Sequence, residues 1–133
     1  MIATGSERGR RGAVQRRRYV VAKVAELPPG ARKIVRAGGR EIGVFHTSAG
    51  LFAVRNSCPH QAAPLCLGQV GGTTLPSAPG TYRYGLEGRV LRCPWHGWEF
   101  DLQTGQGLYD ATGHDRVACY DVRVEGDEVV LFA

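Results

Sequence analysis

Four side chains stand out for the chemistry they can do together. Cys58-Pro59-His60 and Cys93-Pro94-Trp95-His96 each join one thiol and one imidazole across one or two residues, beside a proline that stiffens the segment. A tight turn aims side chains at such spacing to the same side. Two loops of this kind can therefore meet over one metal centre, each giving one sulfur and one nitrogen. Thiolates suit the soft, electron-rich demands of an iron–sulfur centre. Two Cys and two His also make a tetrahedral zinc site, so the donor set by itself leaves both metals open.

The surroundings of these residues narrow the choice. The first segment runs Asn56-Ser57-Cys58-Pro59-His60 and on to Pro64-Leu65; the second runs Cys93-Pro94-Trp95-His96-Gly97-Trp98-Glu99-Phe100-Asp101, with Thr104-Gly105 downstream. This pair resembles the Rieske motif, and the resemblance covers about residues 19–133. It implies one 2Fe–2S cluster per chain, with Cys58 and Cys93 on the inner iron and His60 and His96 on the outer. Exchanging two thiolates for neutral imidazoles removes two negative charges and raises the potential above that of all-Cys clusters. Zinc ribbons do not usually carry the Gly-Trp-x-Phe-Asp continuation, so a structural zinc module is the lesser alternative.

The resemblance also implies a branch. High-potential respiratory members use a further Cys in each loop to form a disulfide beside the cluster; the matching positions here are Ala63 and Trp95. They also use a Ser and a Tyr whose hydroxyls bond to sulfur, where this chain has Trp98 and Phe100. Fewer hydrogen bonds to sulfur stabilise the reduced state less. The implied role is that of the low-potential ferredoxins: a one-electron carrier, not itself an enzyme, taking electrons from a flavin reductase and passing them to an oxygenase. A permanent small subunit of a reductase or oxygenase complex is the alternative. A self-contained oxygenase would need a second, non-haem iron with two further His; only His46 and His114 remain, and no chain is left for a catalytic pocket.

The elements that must position these residues read as all-β: a small sandwich or barrel carrying a cluster-binding subdomain made of two loops, about 56–70 and 92–107. Strands are expected at Tyr19–Val24, Lys33–Arg36, Glu41–Thr47 and Leu51–Val54, the last two forming a hairpin around Ser48-Ala49-Gly50. Ile42, Val44 and His46 fall on one face of that hairpin and Phe45 on the other. Gly71 to Gly80 reads as an irregular loop, Tyr82–Tyr84 and Val90–Arg92 as short strands, and 120–124 with 129–132 as the closing pair. His60 and Cys93 enclose thirty-two residues, about twice the usual spacing of the family. The surplus falls in an insertion at about 71–88.

A net charge of +5 suggests nucleic acid until it is located. Residues 1–18 hold six Arg against Glu7, and the remaining basic and acidic side chains cancel. This is expected to be a basic, disordered arm on a neutral domain, with no nucleic-acid partner. No stretch is long enough to span a bilayer, and no apolar run follows the arginines as an export signal requires, which points to a cytoplasmic protein without membrane attachment. Cys66 and Cys119 are expected to be buried small hydrophobes.

Overall fold

The computed structural model describes residues 16–59, 62–75, 83–95, 97–108 and 115–133. Nine strands are described: β1 (Arg18–Lys23), β2 (Arg32–Ala37), β3 (Arg40–Thr47), β4 (Gly50–Arg55), β5 (Gln69–Leu75), β6 (Arg83–Arg92), β7 (Glu99–Asp101), β8 (Cys119–Glu125) and β9 (Glu128–Phe132). The only helical elements among the described residues are 3-10 turns at Val24–Glu26 and Leu65–Leu67. The expected all-β class holds. Strands β1-β9-β8-β4-β3-β2 form one antiparallel sheet that curls almost into a barrel, and β5-β6-β7 form a second, smaller sheet.

The β3–β4 hairpin shows how alternation builds this arrangement. Ile42 and Val44 enter the core inside the large sheet, packing with Val129, Leu131 and Leu27. Phe45 points the other way, into a second core shared with the small sheet, with Val54, Leu65, Leu91, Phe100 and Leu102. Strand β3 is thus buried on both faces, and the second face is where the loops attach. The edge strands of the large sheet are bridged by a side chain: Lys33 Nζ donates to the Val21 carbonyl at 2.8 Å. Val21 lies where a bulge interrupts the β1–β9 register, so its carbonyl is available for this role.

Two expectations change. The stretch from Gly71 is not an irregular loop as far as it is described: Gln69–Leu75 is a strand, paired along its length with one ten-residue strand, Arg83–Arg92, rather than with two short ones. Residues 76–82 of the expected insertion lie outside the described residues. The pairing passes from Gly71↔Val90 to Thr73↔Gly85, so Gly72 alone faces Leu86 through Arg89. That wide bulge reaches the β3–β4 turn, where Thr47 Oγ1 donates to the Gly88 carbonyl at 2.5 Å.

The second change concerns the arginines. Residues 1–15 lie outside the described residues, but Arg16, Arg17 and Arg18 belong to the folded body. Arg17 and Ala133 exchange two backbone hydrogen bonds of 2.9 and 3.0 Å, and Arg18 is the first residue of β1. Arg16 pairs with Asp121 at 3.3 Å and Arg18 with Glu125 at 2.8 Å. The body is therefore mildly basic rather than neutral, and half of the arginines assigned to the arm are engaged in it.

Candidate metal centre

Cys58 follows β4 and Cys93 follows β6. Each opens a loop closed by the same two backbone bonds. The Cys58 N–H donates to the Ala63 carbonyl at 2.9 Å and the Ala62 N–H returns to the Cys58 carbonyl at 2.8 Å. The Cys93 N–H donates to the Trp98 carbonyl, and the Gly97 N–H returns to the Cys93 carbonyl, both at 2.8 Å. In each loop the fourth residue after Cys adopts a left-handed backbone, Ala62 at φ 55° and Gly97 at φ 72°. The two loops are thus the same local device built on different sequences. Glycine takes this conformation without penalty; alanine does so only because the surrounding bonds hold it.

The loops are pressed together by a close approach. Gly68, at the exit of the first loop, lies against the Arg92 carbonyl at the entrance of the second: a Cβ on Gly68 would sit 1.7 Å from that oxygen. Arg32 fastens the same segment, donating to the carbonyls of Cys66 at 2.8 Å and Gly68 at 2.5 Å while its guanidinium stacks 5.1 Å over the Phe45 ring. Asn56 adds a third tie, accepting from the Cys66 N–H at 2.8 Å.

On the other side, β7 is pinned by its acids. Buried Asp101 receives Arg89 at 2.6 Å and the Gln103 N–H at 2.9 Å, and its carbonyl receives the Gly105 N–H at 2.7 Å. Gly105 has φ 80°, and a Cβ there would meet the Val117 carbonyl at 2.1 Å. The Phe-Asp and Thr-Gly parts of the sequence signature are therefore scaffold: they hold the turn behind the second loop. Phe100 is fully buried and Trp98 packs against the same core.

The result is two buried cysteines in one core. Cys58 and Cys93 are 2% and 1% exposed, belong to the same core cluster and are in no disulfide. The described residues that flank the two loop histidines face solvent: Pro59, Ala62, Pro94 and Gly97 are exposed, and Trp95 is 58% exposed. His60 and His96 themselves lie outside the described residues, as does His114. His46 stands on β3 as expected, half-buried, with Nδ1 2.7 Å from the carbonyl of Leu27, which follows the 3-10 turn Val24–Glu26. Cys66 is fully buried with Sγ 3.6 Å from the Val54 carbonyl, and burial pushes its thiol up to about 12. Cys119 is half-buried rather than buried, and burial together with Asp101 raises its thiol to about 11. Both stay protonated at neutral pH and so are poor ligands.

A family model for the Rieske [2Fe-2S] domain matches residues 17–121. The chain belongs to that family. It therefore carries one 2Fe–2S cluster. Among curated relatives, the ferredoxin component of a naphthalene 1,2-dioxygenase system from Pseudomonas aeruginosa is 29% identical over 106 residues, covering 80% of this chain and 86% of the relative. Apoptosis-inducing factor 3 of Mus musculus is 30% identical over 113 residues; there the match takes in 85% of this chain but only 16% of the relative's length. Among solved structures, the ferredoxin of carbazole 1,9a-dioxygenase from Nocardioides aromaticivorans IC177 superposes with a TM-score of 0.66 at 26% identity, covering 86% of this chain and 95% of that one. The Rieske chain is thus similar both to nearly whole ferredoxins and to one segment of a larger protein. The buried cysteine pair fits the thiolate half of the cluster: two sulfurs shielded from water at the heads of twinned loops. Sequence reasoning missed that twinning, because Ala62 and Gly97 share no residue type.

Proposed function

We propose that this chain is a one-electron carrier in which Cys58, Cys93, His60 and His96 hold the cluster. The observation that carries the reading is the pair of buried cysteines opening matched loops in one core. When bound, a cluster of this type supplies a one-electron couple at a potential above that of all-Cys centres. The chain's own contribution is to hold the two sulfurs dry and to keep the loops stiff, so that little has to move when charge changes. The exposed prolines and Trp95 beside the histidines offer a small apolar contact area for a redox partner. No described helix is long and apolar enough to cross a membrane.

A flavin reductase is the donor in this reading and an oxygenase the acceptor, with the catalytic step in the partner; the relatives that are ferredoxin components of dioxygenase systems support the acceptor. The test is metal analysis and redox titration of the purified protein. Two iron and two acid-labile sulfides per chain are expected, with a reversible one-electron couple and the low average g value of mixed His/Cys ligation in the reduced state. One zinc and no sulfide after anaerobic reconstitution would overturn the assignment. Stable co-purification with an oxygenase or reductase would favour a permanent subunit over a diffusing carrier.

A further inference from the structure

The long segment between the two ligand loops does not merely pass by the site. Its second strand, β6, runs directly into Cys93, and its first strand, β5, touches the far side of the same loop. Thr73 Oγ1 donates to Glu99 Oε1 at 2.6 Å, and Arg92, immediately before Cys93, donates to Glu99 Oε2 at 2.5 Å. Arg92 and Glu99 are also register partners across β6 and β7. Glu99 follows Trp98, whose carbonyl accepts the Cys93 N–H. One carboxylate therefore joins three segments: the insertion, the residue before the ligand and the residue after its backbone acceptor.

We propose that Thr73 is a positioning residue for the second ligand loop, acting through Glu99, and that the Thr73–Glu99–Arg92 chain sets the potential of the cluster as well as its retention. This rests on the electron-carrier reading above. The carboxylate is a negative charge beside the loop that would hold the reducible cluster, and two donors offset it: one hydroxyl and one guanidinium. Glu99 is 21% exposed on its side chain, so water screens it only in part. Removing the Thr73 hydroxyl leaves the charge in place with one donor fewer, which disfavours the reduced state. Removing the charge itself acts in the opposite direction, because one negative charge beside the loop that opens at Cys93 is then lost.

The experiment uses the full chain loaded with its cluster and compares wild type, Thr73→Val, Thr73→Ser, Glu99→Gln and the Thr73→Val/Glu99→Gln double variant. Midpoint potentials come from voltammetry and cluster loss from the decay of visible absorbance under a chelator. Thr73→Val is expected to lower the potential and release the cluster several-fold faster; Thr73→Ser is expected to restore both. Glu99→Gln is expected to raise the potential, and Thr73→Val is expected to add no further shift in that background. If Thr73→Val yields no holo-protein, Thr73→Ala takes its place in both backgrounds. Equal potentials and equal release in wild type and the Thr73 variants would overturn the proposal. So would shifts of the same sign for Thr73→Val and Glu99→Gln, which indicate general loosening. Wild-type protein lacking the 2Fe–2S spectrum would refute the carrier reading instead, a separate outcome.

Discussion

Replacing Gly68 by Ala tests whether the two ligand loops are held together by their backbones. Gly68 has φ −78°, a value any residue adopts, so the substitution carries no conformational penalty of its own. The cost is steric. The new Cβ would lie 1.7 Å from the Arg92 oxygen and 2.9 Å from its carbon, both backbone atoms that cannot swing aside. Restoring ordinary contact means moving the two segments apart by about 1.7 Å, and overpacking of this kind costs roughly 1–3 kcal/mol. The same displacement takes the Gly68 carbonyl from Arg32, a charge-assisted bond worth about 1.5–3 kcal/mol when it is part-buried. A destabilisation of about 3–5 kcal/mol follows, which for a domain of this size lowers Tm by roughly 10–20 °C. Because Gly68 abuts the residue before Cys93, iron and sulfide content should fall with it. Calorimetry of the holo-protein and iron analysis read both effects. Gly39→Ala is the control: its φ of 79° is unfavourable for Ala, but nothing lies within 4 Å, so the loss should stay near 1–2 kcal/mol with the cluster intact. A Gly68→Ala protein with near-native Tm and full iron would show that this contact does not bring the loops together.

Further outcomes are expected from other residues. In the twinned loops, Gly97→Ala should cost about 1–2 kcal/mol, while Ala62→Gly should be neutral or stabilising by up to about 1 kcal/mol, both read by denaturant unfolding; equal signs would contradict the shared backbone device. For Cys66, the folded thiol is raised to about 12 while the unfolded one titrates near 9, so its contribution is complete below pH 9 and is lost as pH rises towards 12. Cys66→Ala should therefore flatten the alkaline fall in stability by roughly 1.4 kcal/mol per pH unit in that window, and a variant parallel to wild type would refute it. The midpoint potential should lie in the lower part of the Rieske range of roughly −150 to +300 mV, since Trp98 and the buried Phe100 offer no hydroxyl to sulfur. A value near the top of that range, measured by voltammetry, would remove the argument for an oxygenase-type partner.

The parts of this fold legible in the sequence are those governed by local periodicity. The alternation from Glu41 to Thr47, turned at Ser48-Ala49-Gly50 and returned by Leu51–Val54, announces a hairpin, and it is found as β3 and β4. The long β5–β6 pair is hidden because Gly72 and Glu87-Gly88, which look like loop residues, form a bulge between paired stretches. Strand β7 has only three residues, too few to show a period, and its existence depends on Asp101 gathering Arg89, Gln103 and Gly105 around it. At the site, the two cysteines were evident from spacing and type. The approach of Gly68 to Arg92 was not, since a glycine required for contact reads the same as one required for a turn. Arg17 and Arg18 were assigned to the arm on charge alone; backbone pairing with Ala133 and Phe132 outweighs that composition.

That last pairing has a use beyond stability. Arg17 and the buried Ala133 lie side by side, so the stretch leading into β1 and the stretch leaving β9 meet at one point. A body with adjacent ends can be spliced into a host polypeptide through two short linkers without stretching either, or rejoined end to end and cut elsewhere. Cutting at Gly38-Gly39, an exposed turn between β2 and β3, would give a circular permutant that keeps both cysteine loops uninterrupted. In such a permutant the chain would begin at β3, so the hairpin that leads into the first cysteine loop would stand at the new N-terminus.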